Sequence, residues 1–214
     1  MNKFNKFIDF FSCFGMLFSV FSFLILSSTS GSSTPSPQVW NLSDANPVFV
    51  GREKQLQAIH SFFIRGKGHI LALTGGSGFG KTQVAKEYAQ KFSAHYDLIW
   101  WFDAQQDLPS QFKKLAIALN QLLPEQEKII PSQLSKDVLI DAVKNVLRVK
   151  NIRYLLIFDN PQTYAQVQSF LPCTHDKPGR HVFLTSRNPN IWIYKVEIGA
   201  FERQESLQFI QQIL

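Results

Sequence analysis

The sequence predicts an α/β fold in three layers, in which helices cover both faces of a mostly parallel, five-stranded β-sheet. From residue 41 onward, short apolar runs alternate with segments whose apolar residues recur at helical spacing. A stretch with four glycines, within LALTGGSGFGKTQVA at residues 71–85, leads from one apolar run into one helical segment. Strands that alternate with helices along a chain usually pair in a parallel sheet, since each helix carries the chain back across the sheet.

Five apolar runs are the predicted strands. Each is bounded by polar residues or glycine and has the length expected of a strand buried on both faces. In chain order they are HILALT (69–74), DLIWWFDA (97–104), YLLIF (154–158), HVFLTS (181–186) and YKVEI (194–198). The predicted helices, in which apolar residues fall on one face, lie at 51–68, 81–95, 111–123, 137–149 and 202–214.

The composition is that of a globular protein. Of the 214 residues, 45% are hydrophobic and 18% are charged, so the chain can bury a substantial core. The net charge of +6 is spread along the chain without a run of basic residues, and a nucleic-acid partner is therefore not expected. Two cysteines, Cys13 and Cys173, are too few for a disulfide framework or a paired zinc motif.

The glycine-rich stretch matches the phosphate-binding pattern G-x-x-x-x-G-K-[ST], between a predicted strand and a predicted helix. Glycines remove the side chains that would keep a polyphosphate away from backbone N–H groups, and the N-terminus of the helix attracts the same anion. Lys81 would reach the β- and γ-phosphates, and the Thr82 hydroxyl would ligate Mg²⁺. The residues of this stretch that are predicted to bind the nucleotide are Gly75, Gly76, Ser77, Gly78, Phe79, Gly80, Lys81, Thr82 and Gln83.

Two later strands end in side chains that suit the same ligand. Asp159 follows the run YLLIF, and a carboxylate at the carboxyl end of a buried strand can hold Mg²⁺ through water. In the alternative interpretation, Asp159 only opens a turn at Asn160 and Pro161. Arg187 follows HVFLTS and could contact the γ-phosphate, unless it is a surface arginine in a loop. Lys81, Asp159 and Arg187 are the candidate catalytic residues.

In this order, the motifs resemble the nucleotide-binding NB-ARC domain of the signal-transduction ATPases of the STAND class, which are P-loop NTPases. The resemblance is strongest to bacterial members with tetratricopeptide repeats, and it runs from about residue 46 to the end of the chain. The motifs are FVGREKQL (49–56), GGSGFGKT (75–82), YDLIWWFDAQ (96–105), LLIFDN (155–160), FLTSRN (183–188) and VEIGAFERQESLQFI (196–210).

The resemblance implies ATP or ADP as the ligand, bound together with Mg²⁺. It also implies that Val48, Phe49 and Val50 lie near the adenine and that Arg52 contacts the nucleotide. The family acts as a switch, in which ADP holds a closed form and exchange for ATP opens it for assembly with protein partners or with further copies. Such a switch requires a ligand whose affinity differs between two shapes of the protein.

The chain departs from the family pattern at Asn160. Many relatives carry a second acid there, which activates water. Because an amide cannot accept a proton as a general base, we expect slow or absent ATP hydrolysis and at most a weak ATPase. The chain also ends within the helical subdomain that follows in relatives. We therefore expect the nucleotide-binding domain at 46–200 and the start of a truncated helical subdomain at 201–214.

Two other functions fit parts of the sequence. A protein-interaction module whose nucleotide is structural, or which binds none, would fit Asn160 and the short C-terminal part. An ATPase of the DNA-replication initiator kind would share the phosphate loop and the arginine after the later strand. That function needs a DNA-reading element, and no such element is recognisable in the sequence.

An apolar leader at 1–27 and a Ser/Pro-rich linker at 28–45 precede the predicted domain. Residues 10–26 carry no charge and follow Lys3 and Lys6, a pattern typical of a signal peptide or a membrane anchor. A used leader would place the rest of the chain outside the cytoplasm, where little ATP is found. Nucleotide binding therefore favours a cytoplasmic location, with a start site downstream of the leader. A membrane-anchored form is the alternative.

Overall fold

The structure is a computed structural model that describes residues 37–44, 46–66, 68–172 and 177–214. The predicted leader and residues 28–36 of the predicted linker lie outside the described residues. The strands are β1 (Val39–Trp40), β2 (Ile70–Thr74), β3 (Leu98–Asp103), β4 (Tyr154–Asp159), β5 (Arg180–Ser186) and β6 (Lys195–Glu197). The α-helices are α1 (Glu53–Ile64), α2 (Lys81–Lys91), α3 (Leu108–Leu119), α4 (Lys136–Val149), α5 (Tyr164–Val167) and α6 (Arg203–Ile213).

These strands form one parallel sheet in the order β1-β3-β4-β5-β2-β6. The predicted three-layer α/β fold is confirmed, with one strand more than the five predicted. The additional strand is β1, which pairs Val39 with Leu98 and Trp40 with Ile99 at the outer edge of β3. It lies within the segment predicted as a linker, and its two residues are too few to show an apolar pattern in the sequence.

A side chain continues the pairing that β1 begins. The amide of Asn41 donates from Nδ2 to the carbonyl oxygen of Trp101 at 3.0 Å, and its Oδ1 accepts from the N–H of Trp101 at 2.6 Å. The side-chain amide thereby satisfies the same two main-chain groups that a further strand residue would satisfy. Val39 and Leu42, on either side of this contact, are buried.

Apolar side chains fill both faces of the sheet. Successive residues of a strand point to opposite faces, and in β3 Leu98 and Trp100 join one core whereas Ile99 joins the other. Helices α3 and α4 pack on the first face, and α1 and α2 pack on the second. The middle strands β4 and β5 are buried along almost their whole length, which agrees with their apolar sequences.

Local sequence signals set the starts of several helices. Helix α3 begins at Leu108, before the predicted start at residue 111, because Asp107 accepts a hydrogen bond from the N–H of Ser110 at 3.0 Å. Helix α6 begins with a capping box, in which Glu202 and Glu205 each accept from the other's backbone N–H. Helix α5 has only four residues and was not among the predicted helices.

No helix in the described ranges is long and apolar enough to span a bilayer. The longest of them, α4, has 14 residues, whereas a spanning helix needs about 20. The predicted apolar segment 10–26 lies outside those ranges.

Candidate functional site

The glycine-rich loop connects the carboxyl end of β2 to the start of α2, and ligands of open α/β sheets bind at this end of the strands. Gly75 lies against the chain that follows β6. A Cβ at Gly75 would lie 2.2 Å from the carbonyl oxygen of Ile198, so a larger residue does not fit there. Gly78 and Gly80 have φ values of +78° and +84°, and no heavy atom of the described residues would lie within 4 Å of a Cβ on either. The loop is therefore packed on one side and open on the other.

Lys81 is the first residue of α2 and is 9% exposed. Its Nζ donates to the carbonyl oxygens of Gly75 at 2.9 Å and Gly76 at 2.6 Å. Burial lowers the pKa of Lys81 from its ordinary value, and the charge of Arg187 acts in the same direction, whereas Asp159 opposes it. A phosphate oxygen is a stronger acceptor for an ammonium group than a carbonyl oxygen is, so this lysine can exchange its partners when an anion binds.

Thr82, on α2, faces Asp159 at the end of β4. The Thr82 hydroxyl donates to the carboxylate, with its oxygen 3.0 Å from Oδ1 and 3.3 Å from Oδ2 of Asp159. Thr185, on β5, also donates its hydroxyl to Oδ1 of Asp159. Two hydroxyl donors from different elements fix the orientation of the carboxylate. The oxygens of Thr82 and Asp159 are of the hard type that Mg²⁺ prefers.

Asn160 follows with a φ of +61°, in the left-handed region that asparagine tolerates better than most residues. Its N–H donates to the carbonyl oxygen of Thr185 at 3.1 Å and to the Thr185 hydroxyl at 2.9 Å. Arg187, one residue after β5, is exposed. Among the described residues around this cleft, Asp159 is the only carboxylate, and the cations Lys81 and Arg187 leave an excess of positive charge.

A cleft of about 270 Å³ lies between these side chains and the loop. Its lining residues are Ser77, Gly78, Gly80, Lys81, Thr82, Asp159, Asn160, Thr185 and Arg187. We call it the phosphate cleft, because free backbone N–H groups at the start of α2 and two cations converge on it.

A second cavity, of about 390 Å³, adjoins the phosphate cleft and shares Gly78 and Gly80 with it. Its lining residues are Asn46, Val48, Phe49, Val50, Arg52, Gly78, Phe79, Gly80, Gln83, Val84, Ala200, Phe201 and Phe209. We call it the apolar cavity. Aromatic and aliphatic walls with a few polar groups are typical of sites for a planar ring.

Arg52 lies in the apolar cavity between the glycine-rich loop and the segment after β6. It precedes α1, is 5% exposed, and has a φ of +63°. One guanidinium nitrogen donates to the carbonyl oxygen of Gly199 at 2.8 Å and, more weakly, to that of Phe79 at 3.4 Å. The guanidinium carbon lies 4.4 Å from the ring centroid of Phe201, in the range of a cation–π contact. Arg52 thus connects the segment before α1, the glycine-rich loop and the segment after β6.

The residues singled out in the sequence converge on these two cavities. Ser77, Lys81, Thr82, Asp159 and Arg187 line the phosphate cleft, Val48, Phe49, Val50, Arg52, Phe79 and Gln83 line the apolar cavity, and Gly78 and Gly80 line both. Gly75 and Gly76 hold the Lys81 ammonium through their carbonyl groups.

Sequence reasoning missed five residues of the apolar cavity, namely Asn46, Val84, Ala200, Phe201 and Phe209. Phe201 and Phe209 come from the segment after β6 and lie with their ring centroids 5.9 Å apart. No local motif distinguishes an aromatic residue that forms a cavity wall from one on the buried face of a helix. The only signal was the family resemblance of the segment 196–210, which did not assign them a role.

Residues 52–213 match the family model of the NB-ARC domain. No curated protein sequence matches the chain. One similar solved structure is a signal transduction ATPase with numerous domains (STAND) and a tetratricopeptide repeat sensor, from Pyrococcus horikoshii. It has 17% identity and a TM-score of 0.57, over 83% of this chain and 27% of that chain. Another is the ORC2 protein of Aeropyrum pernix in its ADPNP–ADP complexes, with 16% identity and a TM-score of 0.54, over 83% of this chain and 55% of that chain.

The chain thus spans about a quarter of the Pyrococcus protein and just over half of the Aeropyrum protein, and at such identities the similarity concerns the fold. The family match is more extensive. It covers about three quarters of the 214 residues and includes the glycine-rich loop, the strand that ends at Asp159, and Arg187. With the predicted fold confirmed, the chain belongs to the NB-ARC family of nucleotide-binding P-loop domains.

Proposed function

We propose that this domain binds ATP or ADP together with Mg²⁺ and is the nucleotide-dependent part of a signalling switch, with slow or absent hydrolysis. The observation that carries the proposal is the pair of adjoining cavities. The phosphate cleft has an excess of positive charge, the apolar cavity has aromatic walls, and the two share Gly78 and Gly80. A nucleotide likewise joins a polyanion to a planar ring, so one such ligand suits both cavities.

The phosphate groups would lie against the N-terminus of α2. The open side of the loop at Gly78 and Gly80 leaves room for phosphate oxygens close to backbone N–H groups. Lys81 would exchange the carbonyl groups of Gly75 and Gly76 for phosphate oxygens, and Arg187 would add a second positive charge.

The residues present fit Mg²⁺. Thr82 and Asp159 would hold it, since their oxygens lie within hydrogen-bond distance of each other and the carboxylate is already oriented by Thr185. The ion would take its remaining ligands from phosphate and water, as Mg²⁺ usually does in nucleotide sites. When bound, it would neutralise part of the charge on the phosphate oxygens.

The side chains around the cleft support the proposal of slow hydrolysis. Asp159 is oriented by Thr82 and Thr185 for metal binding, and Asn160 offers an amide where a general base would act. Glu53, the acid next to Arg52, is paired with Lys91 at 3.0 Å on the surface of α1 and α2. Among the described residues that line the cleft, no second acid accompanies Asp159 to act as the base.

The switch itself would require protein partners or further copies of the chain. The Pyrococcus structure is described as a STAND protein with a tetratricopeptide repeat sensor. We infer that this domain has a comparable place in signal transduction, with a sensor and a partner still to be identified. No observation on the described residues favours the DNA-initiator alternative, because the likeness to the Aeropyrum protein concerns the fold.

The test is a titration of residues 37–214 with fluorescent ADP and ATP, with and without Mg²⁺, alongside an assay of phosphate release. Lys81→Ala should abolish binding, because it removes the buried cation of the cleft. Lys86→Ala is the matched control. Lys86 lies on the same helix but lines neither cavity, and its Nζ donates to the Ser43 hydroxyl at 2.8 Å. Circular dichroism verifies that each variant is folded.

Binding that depends on Lys81 but not on Lys86, with little phosphate release, would support the proposal. A folded wild-type protein that binds neither nucleotide would contradict it and favour the interaction-module alternative. Rapid phosphate release would contradict the hydrolysis part alone.

We further propose a cytoplasmic location, because the nucleotide is supplied there. A reporter fused after Leu26 tests whether the leader is used. Export of the reporter would count against any ATP-dependent role and favour the membrane-anchored or exported form.

A further inference from the structure

One carboxylate connects the starts of two helices beside the apolar cavity. Oε1 of Glu205 accepts a hydrogen bond from the backbone N–H of Arg52 at 2.8 Å, at the N-terminus of α1. Oε2 of the same side chain accepts from the backbone N–H of Glu202 at 2.9 Å, at the N-terminus of α6. A negative charge is stabilising at a helix N-terminus, and Glu205 therefore serves both helices at once.

The backbone just before α1 leaves room for this carboxylate. Gly51 has a φ of +70°, and a Cβ on it would lie 2.6 Å from Oε1 of Glu205. The next residue, Arg52, also has a left-handed backbone, with a φ of +63°, although it is not a glycine. Such a conformation persists only when its surroundings hold it. Here the hydrogen bond from the Arg52 N–H to Glu205 holds it.

The side chain of Arg52 connects Glu205 to the apolar cavity. One of its guanidinium nitrogens lies 3.8 Å from Oε2 of Glu205, and the two side chains are 5% and 18% exposed. The guanidinium group also contacts the carbonyl oxygen of Gly199 and the ring of Phe201, which lines the cavity. A shift of Glu205 would therefore move both Arg52 and Phe201.

Glu205 is charged at neutral pH. Burial raises the pKa of its carboxyl group, but the hydrogen bonds from the backbone of Arg52 and Glu202, with the positive charges of Arg52 and Lys54, outweigh burial and lower the pKa below its ordinary value. The ionised form is the one that accepts at both oxygens.

We propose that Glu205 is a positioning residue for the base of the nucleotide, because it fixes Arg52 and Phe201 as a wall of the apolar cavity. This inference rests on the proposed nucleotide binding and names a residue that acts on the base alone. The phosphate cleft takes no part, because the hydrogen bonds and the ion pair of Glu205 go to Arg52 and Glu202, which do not line it. Glu205 should therefore affect a ligand with a base and leave inorganic pyrophosphate unaffected.

The experiment compares the affinities of the full chain for ADP and for pyrophosphate by calorimetry, with Mg²⁺ present. We expect Glu205→Ala to weaken ADP binding about tenfold, the size of effect that loss of one hydrogen bond to a charged group produces. Pyrophosphate binding should stay within about twofold of the wild type.

Glu202→Ala is the matched control. It removes the other half of the capping box of α6 and leaves the contact between Glu205 and Arg52 in place. We expect it to reduce stability without changing the ratio of the two affinities. If Glu205→Ala does not fold, Glu205→Gln replaces it. Its amide keeps one accepting oxygen, so ADP binding should weaken about threefold and pyrophosphate binding should not change.

Equal losses for ADP and pyrophosphate in the Glu205 variants would overturn the positioning role. An equal loss of ADP affinity in Glu202→Ala would also overturn it, since the effect would then belong to the capping box. A wild-type protein that binds pyrophosphate but not ADP would overturn the base site. Binding of neither ligand would overturn the proposed function itself.

Discussion

Asn160 combines a left-handed backbone with a side chain that cannot take up a proton from water. Its φ is +61°, and its N–H is held by both oxygens of Thr185. Aspartate also tolerates this backbone region, so Asn160→Asp should fold and place a second carboxylate at the cleft. We expect phosphate release from ATP to rise about tenfold or more, since general bases contribute ~10²–10⁴-fold. A phosphate-release assay at saturating ATP and Mg²⁺ measures it.

Gln162→Glu is the control for this substitution. Gln162 lies two residues further on, is exposed, and donates to the carbonyl oxygen of Asn160 at 3.2 Å. The variant adds the same charge outside the lining of the cleft, and phosphate release should not change. If Asn160→Asp binds ATP like the wild type but releases phosphate no faster, the missing base does not limit hydrolysis.

Because His181, on β5, is buried, we expect the protein to lose stability in mild acid. Its Nδ1 lies 2.8 Å from the Tyr96 hydroxyl, and its ring stacks on Phe63 with centroids 4.3 Å apart. Burial, with the nearby His69, His60 and His95, lowers the pKa of His181 from 6.5 to about 4. Between these values the unfolded chain binds the proton and the folded chain does not. The free energy of unfolding should therefore fall as the pH drops from 6.5 toward 4.

From pH 7 to pH 5, this one group should lower the free energy of unfolding by about 2 kcal/mol. Urea unfolding at both pH values measures it, in the wild type and in His181→Gln, which retains a hydrogen-bonding partner for Tyr96. The variant should lose less stability than the wild type over this interval. Equal losses would show that other groups cause the acid sensitivity.

At the residue scale, sequence reasoning succeeds where a function depends on neighbours in the chain. The glycine-rich loop with Lys81 and Thr82 is one continuous motif, and Asp159 stands directly after an apolar run. Glu205 is different, because its partner Arg52 is 153 positions away. No spacing rule connects two such residues, and the fold alone brings them together.

At the scale of elements, Arg180 holds the C-terminal end of α4 against β5. Its side chain is 3% exposed, and its guanidinium donates to the carbonyl oxygens of Arg148, at 2.7 Å, and Lys150. These are carbonyl groups that the end of a helix leaves without a helical partner. Arg180→Met should lower the free energy of unfolding by about 3 kcal/mol, because two partly buried carbonyl groups lose a charged donor. Chemical denaturation measures the difference.

Arg148→Met is the matched control on the same helix. The Arg148 side chain is exposed and donates only to Oδ1 of Asn145 at 2.7 Å among the described residues. Its replacement should change the free energy of unfolding by less than about 0.5 kcal/mol. Similar losses in the two variants would mean that the buried guanidinium does not stabilise the end of α4.

The elements that the sequence predicts are those with a sustained pattern. The helix at 137–149 and the strands at 154–158 and 181–186 were found with ends close to those of α4, β4 and β5. Strand β1 and helix α5 have two and four residues, only about one period of the patterns that would reveal them, so no repeat is visible in the sequence. Their formation depends on tertiary partners, such as β3 for β1.

At the scale of the whole molecule, alternation along the chain predicts a parallel sheet but not its strand order. The order β1-β3-β4-β5-β2-β6 places β2 between β5 and β6. This position brings the loop after β2 beside the ends of β4 and β5, where Asp159 and Arg187 lie. The strand order depends on which face of the sheet each connecting segment covers. The pattern of apolar residues along the chain does not specify this.

The position of β1 predicts where the folded domain begins. Residues 39 and 42 are buried on the sheet, although they precede the predicted start of the domain at residue 46. A chain of residues 46–214 should lose about 4 kcal/mol relative to residues 37–214, since two aliphatic side chains are no longer buried. Thermal and chemical unfolding of the two chains measure the difference. Equal stability would mean that β1 adds nothing to the domain.

The two edges of the sheet also bear on aggregation. An unpaired strand edge is a template on which a strand of another molecule can pair. On one side, β1 and the Asn41 amide occupy the outer main-chain groups of β3 as far as Trp101. On the other, β6 has three residues, and its exposed Lys195 and Glu197 put charges at the edge. A chain that lacks β1 should therefore form β-rich aggregates more readily, even under conditions in which most of its molecules are folded.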